Sequence, residues 1–329
     1  MKKIFRTSVV SALIFFIGVG VGHVLTGSKP VVAADDRSER HLGESTDSLT
    51  NPLLECEFGS EYLSKHSIRP FKAEIEGSID RFIKEGKATH ISYYFRDLNN
   101  GSWFGFNEKE NFSPASLLKV PLLIHILARA ESEPGVLMAQ IEYAGGDADA
   151  PQFVLPKNPI QIGKTYTVAE LLEHMIVESD NNAALLLTQF TGIDRFKTIF
   201  TEFGIALPPA VENTTGSMSV RDYAAFFRVL FNASYLSQRA SEGALTLLTQ
   251  SKFKEGIITG VPENILVAHK FGEREFEGQK QLHDCGIVYE GKSPYLLCIM
   301  TRGDDFTELE RVIAALSKTT YEQVHAQAR

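Results

Sequence analysis

From Ser113 to Ala130 the chain reads SPASLLKVPLLIHILARA. Leu117, Leu118, Val120, Leu122, Leu123, Ile124, Ile126 and Leu127 leave no polar stripe, so a helix here is apolar on all sides and belongs in the middle of a core. One cation, Lys119, stands near its start. Taking an ammonium out of water is costly, so the position needs a chemical reason. Ser113 and Pro114 read as a helix start. Ser116 then falls in the first turn and Lys119 one turn later on the same face, which predicts that the amine reaches the hydroxyl. A serine hydroxyl is a weak nucleophile until a base takes its proton. A lysine can be that base when burial lowers its pKa from about 10.4.

The surrounding pattern places this helix in a larger frame. FKAEIEGSIDRFIKEGK (71–87) has helical periodicity, with Phe71, Ile75, Ile79, Phe82 and Ile83 to one side. THISYYFRDL and SWFGFN read as two strands joined by a hairpin at Asn99-Asn100-Gly101. From about 113 to 256 the pattern is helical, most clearly over Val168–Phe190 and Val220–Phe231. Three strand-like runs follow, at 265–273, 279–290 and 293–301, then an amphipathic helix from about Asp305 to Ala326. This order predicts an α+β fold: a five-stranded antiparallel sheet, terminal helices on one face, and an all-helical insertion.

Other chemistries are unsupported. The chain has no HExxH, no paired CxxC and no His/Cys cluster at metal spacing, so neither a metal nor a cofactor is expected. It also lacks a GxSxG elbow, a P-loop and a GxGxxG. With net charge −8 and a pI of 5.7, nothing points to nucleic acid.

Ser116-x-x-Lys119 alone is a weak motif, since Ser251-x-x-Lys254 repeats it in a polar stretch. K-x-G is weak too, at Lys84, Lys254 and Lys270. In combination they are specific. Ser116-Leu117-Leu118-Lys119 opens the apolar helix, Ser179-Asp180-Asn181 follows 63 residues later at the end of a helical run, and Lys270-Phe271-Gly272 lies on a strand.

This set, over about residues 53–329, resembles the penicillin-recognising serine enzymes: class A β-lactamases and penicillin-binding proteins, with their S-x-x-K, S-D-N and K-[TS]-G motifs. The resemblance implies a β-lactamase/transpeptidase-like fold and a set of roles. Ser116 is the acylated nucleophile and Lys119 its general base. Ser179 relays a proton, and Asn181 binds the substrate amide and orients Lys119. Asp180 holds its loop, and Lys270 supplies positive charge. The backbone N–H groups of Ser116 and Glu273 form the oxyanion hole. Asn181, Phe271, Gly272 and Glu273 line the substrate.

Two departures qualify it. Phe271 stands where the family has a hydroxyl for the substrate carboxylate, leaving Arg274 or Arg302 as candidate anion clamps. The glutamate of the deacylating E-x-x-L-N loop has no counterpart between Ser179 and Lys270; Glu212 is the nearest candidate and reads more simply as a solvated carboxylate. His125 and His174 read as structural, and His269 should point away from Lys270. The expected activity is therefore that of an acyl-enzyme serine hydrolase of D,D-peptidase-like or penicillin-binding type, acting on a cell-wall peptide or a β-lactam. A β-lactamase, or a cell-wall binding or sensing domain without turnover, are the alternatives.

Two further readings concern the chain ends and the cysteines. Residues 1–34 carry Lys2, Lys3, Arg6 and Lys29, no acid and an apolar run over Thr7–Leu25, which predicts a signal peptide or membrane anchor and an extracytoplasmic body. Residues 35–52 read as a flexible tether. A two-residue turn at Gly291-Lys292 would set Cys285 opposite Cys298, as neighbouring thiols or as a disulfide, leaving Cys56 over.

Overall fold

The computed structural model describes residues 48–51, 68–145, 152–205 and 217–327. The expected signal or anchor (1–34), Glu212 and Cys56 lie outside them. Among the described residues no helix is long and apolar enough to cross a membrane.

Five antiparallel strands form the main sheet: β1 (His90–Asp97), β2 (Trp103–Phe106), β7 (Leu266–Phe276), β8 (Gln279–Tyr289) and β9 (Tyr295–Gly303), in the order β2-β1-β9-β8-β7. Side chains alternate between two cores. Tyr93, Phe95, Leu297 and Ile299 face one, which is closed by helices α1 (Ile68–Lys84) and α8 (Phe306–Gln327). Helix α1 buries Phe71, Ile75, Ile79 and Phe82, one stripe at helical spacing. Its Arg81 and Lys84 lie in the last turn, favourable to the helix dipole. From α8, Leu309, Val312, Ile313 and Leu316 fill the same layer, and Thr320 meets the Tyr93 hydroxyl at 2.8 Å. This confirms the terminal helices on one face.

Tyr94, Ala268, Ile287, Leu296, Cys298 and Met300 face the second core, shared with the helical segment. That segment comprises α2 (Lys119–Ser132), α3 (Val168–Val177), α4 (Asn181–Thr191), α5 (Ile193–Glu202), α6 (Val220–Phe231) and α7 (Gln238–Thr249). Short ladders β3 (Asn111–Phe112) with β6 (Met218–Ser219), and β4 (Gln140–Glu142) with β5 (Thr165–Thr167), accompany them. Helix α3 starts at a reciprocal capping box: Glu170 N donates to Thr167 Oγ1 and Thr167 N to Glu170 Oε2.

The continuous helix expected over Val168–Phe190 is broken into α3 and α4. Ser179 takes a left-handed φ of 56°, and Asp180 caps the new helix through bonds from Asn182 N and Ala183 N. Within the segment read as a tether, Leu49–Asn51 are docked: Leu49 N and Thr50 N donate to the Glu242 carboxylate, and Asn51 N to the Phe231 carbonyl. The tether reading thus does not extend to these residues.

The turn between β8 and β9 is as expected, with Ser293 N bonded to Glu290 O. Cys285 pairs with Cys298 in register, and the two form a disulfide. Thiol titration of the denatured, non-reduced protein should therefore return one free thiol of the three cysteines; three would contradict the bond.

Candidate active site

Ser116 lies on a 3-10 turn, Ala115–Leu118, that runs directly into α2. The turn is fixed from the sheet side rather than by a side-chain cap. Ser113 N donates to Gln281 Oε1, Arg274 Nη1 to Ser113 Oγ, and His283 Nε2 to the Ser113 carbonyl. Since Thr301 N donates to His283 Nδ1, the Nε2–H tautomer is the one consistent with both contacts. Burial lowers the pKa of this histidine to about 4, which keeps it neutral in that role. Ala115 holds φ at 47°, so a non-glycine left-handed residue directly precedes Ser116. Strand β7 passes hard against the same turn. A Cβ at Gly272 would lie 2.8 Å from Pro114 O and 3.1 Å from Leu117 N, so the glycine of K-x-G is required by close approach.

Lys119 is 5% exposed. Its Nζ donates to Ser179 O (2.5 Å), Ser179 Oγ (3.1 Å) and Asn181 Oδ1 (2.7 Å). Three acceptors match the three N–H bonds of an ammonium, and the Ser116 hydroxyl is not among them. The direct Ser116–Lys119 hydrogen bond expected from spacing is thus not formed in this state, in which Ser179 and Asn181 hold all three amine hydrogens. Burial lowers the Lys119 pKa to about 7, against the opposing charges of Asp180 and Glu273. Near neutral pH the amine is therefore readily uncharged. A neutral amine has a lone pair, and of its three neighbours only the Ser179 hydroxyl can donate into it.

Lys270 completes the group. Its Nζ donates to Ser179 Oγ (2.9 Å) and to the Phe271 carbonyl (2.8 Å). Ser179 Oγ thus sits between two lysine amines. Burial, then the Lys119 charge, push the Lys270 pKa well down. Deprotonating Lys119 removes that repulsion, so the charge states of the two amines oppose each other.

Asp180 ties this corner together, accepting also from Ile160 N at 2.8 Å, while Glu178 accepts from Lys157 N. The remaining residues fall as follows. The Phe271 ring is buried, stacked on Phe253 at 4.1 Å, and lies 4.1 Å from Lys270 Nζ, so it adjoins the amine pair while offering no hydroxyl for a substrate carboxylate. Arg302 is engaged by Glu110 at 2.7 Å and by the Asn111 carbonyl, which removes it as an anion clamp. Arg274 meets uncharged groups, the Ser113 hydroxyl and the Phe276 ring. His269 points away from Lys270 and meets the buried Asp284 at 2.9 Å; His174 bonds the Asn158 carbonyl; His125 stands edge-on to Phe196. No group of three or more possible metal ligands occurs among the described residues.

The sequence assigns Glu273 a backbone N–H in the oxyanion hole and a place along the substrate. The structure adds its side chain. Oε1 accepts from Phe153 N (2.8 Å) and Val154 N (2.7 Å), and burial raises the pKa against these bonds. No local pattern signals a contact between residues about 120 positions apart.

Residues 74–324 match the beta-lactamase enzyme family. A beta-lactamase from Streptomyces fradiae is 24% identical over 269 residues, which cover 74% of this chain and 83% of that protein. Among solved structures, a beta lactamase from Xanthomonas campestris pv. campestris superposes with a TM-score of 0.66 at 19% identity, over 77% of this chain and 98% of that one. A structure titled PBP-A gives 0.65 at 19% identity, over 79% and 97%.

Proposed function

The chain belongs to the beta-lactamase enzyme family of serine hydrolases, and from that premise we propose that it acts through an acyl-enzyme on Ser116, taking β-lactams and D-Ala-type cell-wall peptides as acyl donors and releasing β-lactam products slowly. The observation that carries the acylation half is the buried Lys119 amine held against Ser179 and Asn181, with a pKa lowered to about 7. In the proposed sequence neutral Lys119 takes the Ser116 proton as Oγ attacks the carbonyl. The N–H groups of Ser116 and Glu273 receive the oxyanion. Ser179, with Lys270 beside it, passes a proton to the departing nitrogen. The left-handed Ala115 and Ser179 flank this arrangement on both sides, where stored backbone strain is common.

Slow release rests on the sequence. Deacylation needs a base for water, and no E-x-x-L-N glutamate lies between Ser179 and Lys270. General-base help is worth typically about 10²–10⁴-fold. Excess nitrocefin should therefore give a burst of about one product per protein followed by a negligible steady state. Sustained turnover at tens per second would refute the slow-release reading and assign a rapid β-lactamase activity. We place this reaction outside the cytoplasm, on the strength of the basic and apolar N-terminal sequence; fractionation of producing cells tests that.

A further inference from the structure

We propose that Gln152–Val154 is a strap lying across the substrate groove, that Glu273 is the residue positioning it, and that its displacement decides which acyl donors reach Ser116. The proposal rests on the acyl-enzyme reading above.

The two walls of the site are the Ser179 corner and strand β7. The strap is bonded to both. Gln152 Nε2 donates to the Ser179 carbonyl at 3.2 Å, the same oxygen that holds Lys119 Nζ. One residue on, Phe153 N and Val154 N both donate to Glu273 Oε1 on β7. A substrate lying between Ser179 and β7 meets this crossing. The edge position of β7 strengthens the point, because β7 ends the sheet and an extended chain adds to such an edge.

The contact is built for release. Beyond the two N–H bonds, Phe153 stacks on Phe306 at 4.7 Å but stays 56% exposed. A cavity of about 380 Å³, lined by Gln152, Phe153, Glu273, Arg274 and Phe306 among others, lies beside it and gives the segment room. Glu273 itself is 9% exposed, and its second oxygen, Oε2, is buried with no hydrogen-bond partner. A carboxylate buried with half its acceptor capacity unused is costly, so the two strap bonds are its main compensation. Small acyl donors need less of the crossing cleared than large ones. Opening the strap should therefore act on the second-order acylation step and favour bulky donors.

The test uses the full chain and the variants Glu273→Ala, Glu273→Gln and Phe153→Ala. Hydrogen exchange at the Phe153 and Val154 amides reads the strap. Acylation rate constants with p-nitrophenyl acetate and with nitrocefin read admission of a small and a bulky donor. Glu273→Ala and Phe153→Ala should speed exchange and raise the nitrocefin-to-acetate rate ratio by about tenfold, as expected when the open form is a minor population. The effect should appear in KM rather than kcat. Glu273→Gln keeps the accepting oxygen and should restore both readouts. Unchanged exchange in Glu273→Ala, or faster exchange with an unchanged ratio, overturns the strap and leaves the acyl-enzyme reading standing. No acylation of Ser116 by the small probe in any form overturns that reading and the proposal with it.

Discussion

Replacing Lys119 by methionine is expected to slow acylation of Ser116 by about 10²–10⁴-fold at pH 8, the usual worth of a general base. Methionine keeps an unbranched chain in the buried slot but offers no proton acceptor. The pH dependence carries the sign. The folded pKa of Lys119 is lowered to about 7, so the basic form prevails above that pH. Wild-type acylation should rise through pH 7 and level off, and the variant should lose this limb. Stability follows the same group. Between about pH 7 and the unfolded lysine value near 10.4, the unfolded chain holds a proton that the native chain does not, so this term raises stability as pH rises and is lost as pH falls through 7. Stopped-flow acylation and thermal melts across pH 6–9 check both. A methionine variant acylating at the wild-type rate would remove Lys119 from the reaction.

Gly272→Val should abolish acylation and lower stability. Its side chain would begin 2.8 Å from Pro114 O, 2.9 Å from Leu117 Cγ and 3.1 Å from Leu117 N. Two of these neighbours are backbone and cannot swing aside, so β7 and the Ser116 turn must part. Overpacking of this kind costs about 1–3 kcal/mol or more. Denaturant unfolding and acylation measured together check it; wild-type values in both would mean that β7 does not press on the turn.

The sheet and the terminal helices were legible because their patterns are strong. Strand β9 is apolar on both faces, as a central strand must be, and the Gly291-Lys292 turn fixes the register that sets Cys285 against Cys298. The three motifs were legible as an ordered set, and Lys119 stood out as the cation at the buried start of an apolar helix. What was not legible depends on tertiary placement. Helical periodicity ran straight through Ser179, although Asp180 is a good capping residue, and only the left-handed turn reveals the break. Spacing brought Ser116 and Lys119 to one face but could not show that Ser179 and Asn181 take all three amine hydrogens. Arg302 looked available for an anion, yet Glu110, 192 positions away in the sequence, engages it. The Glu273 strap and the His283 anchor join residues more than a hundred positions apart, where local pattern carries no information.

The account turns on one nucleophile. Peptide mapping by mass spectrometry, after brief exposure to penicillin, tests it most directly, with Ser251→Ala and Ser116→Ala run beside the wild type. A single adduct on the peptide containing Ser116, unchanged in Ser251→Ala and absent in Ser116→Ala, is the predicted result. An adduct that persists undiminished in Ser116→Ala would contradict the mechanism.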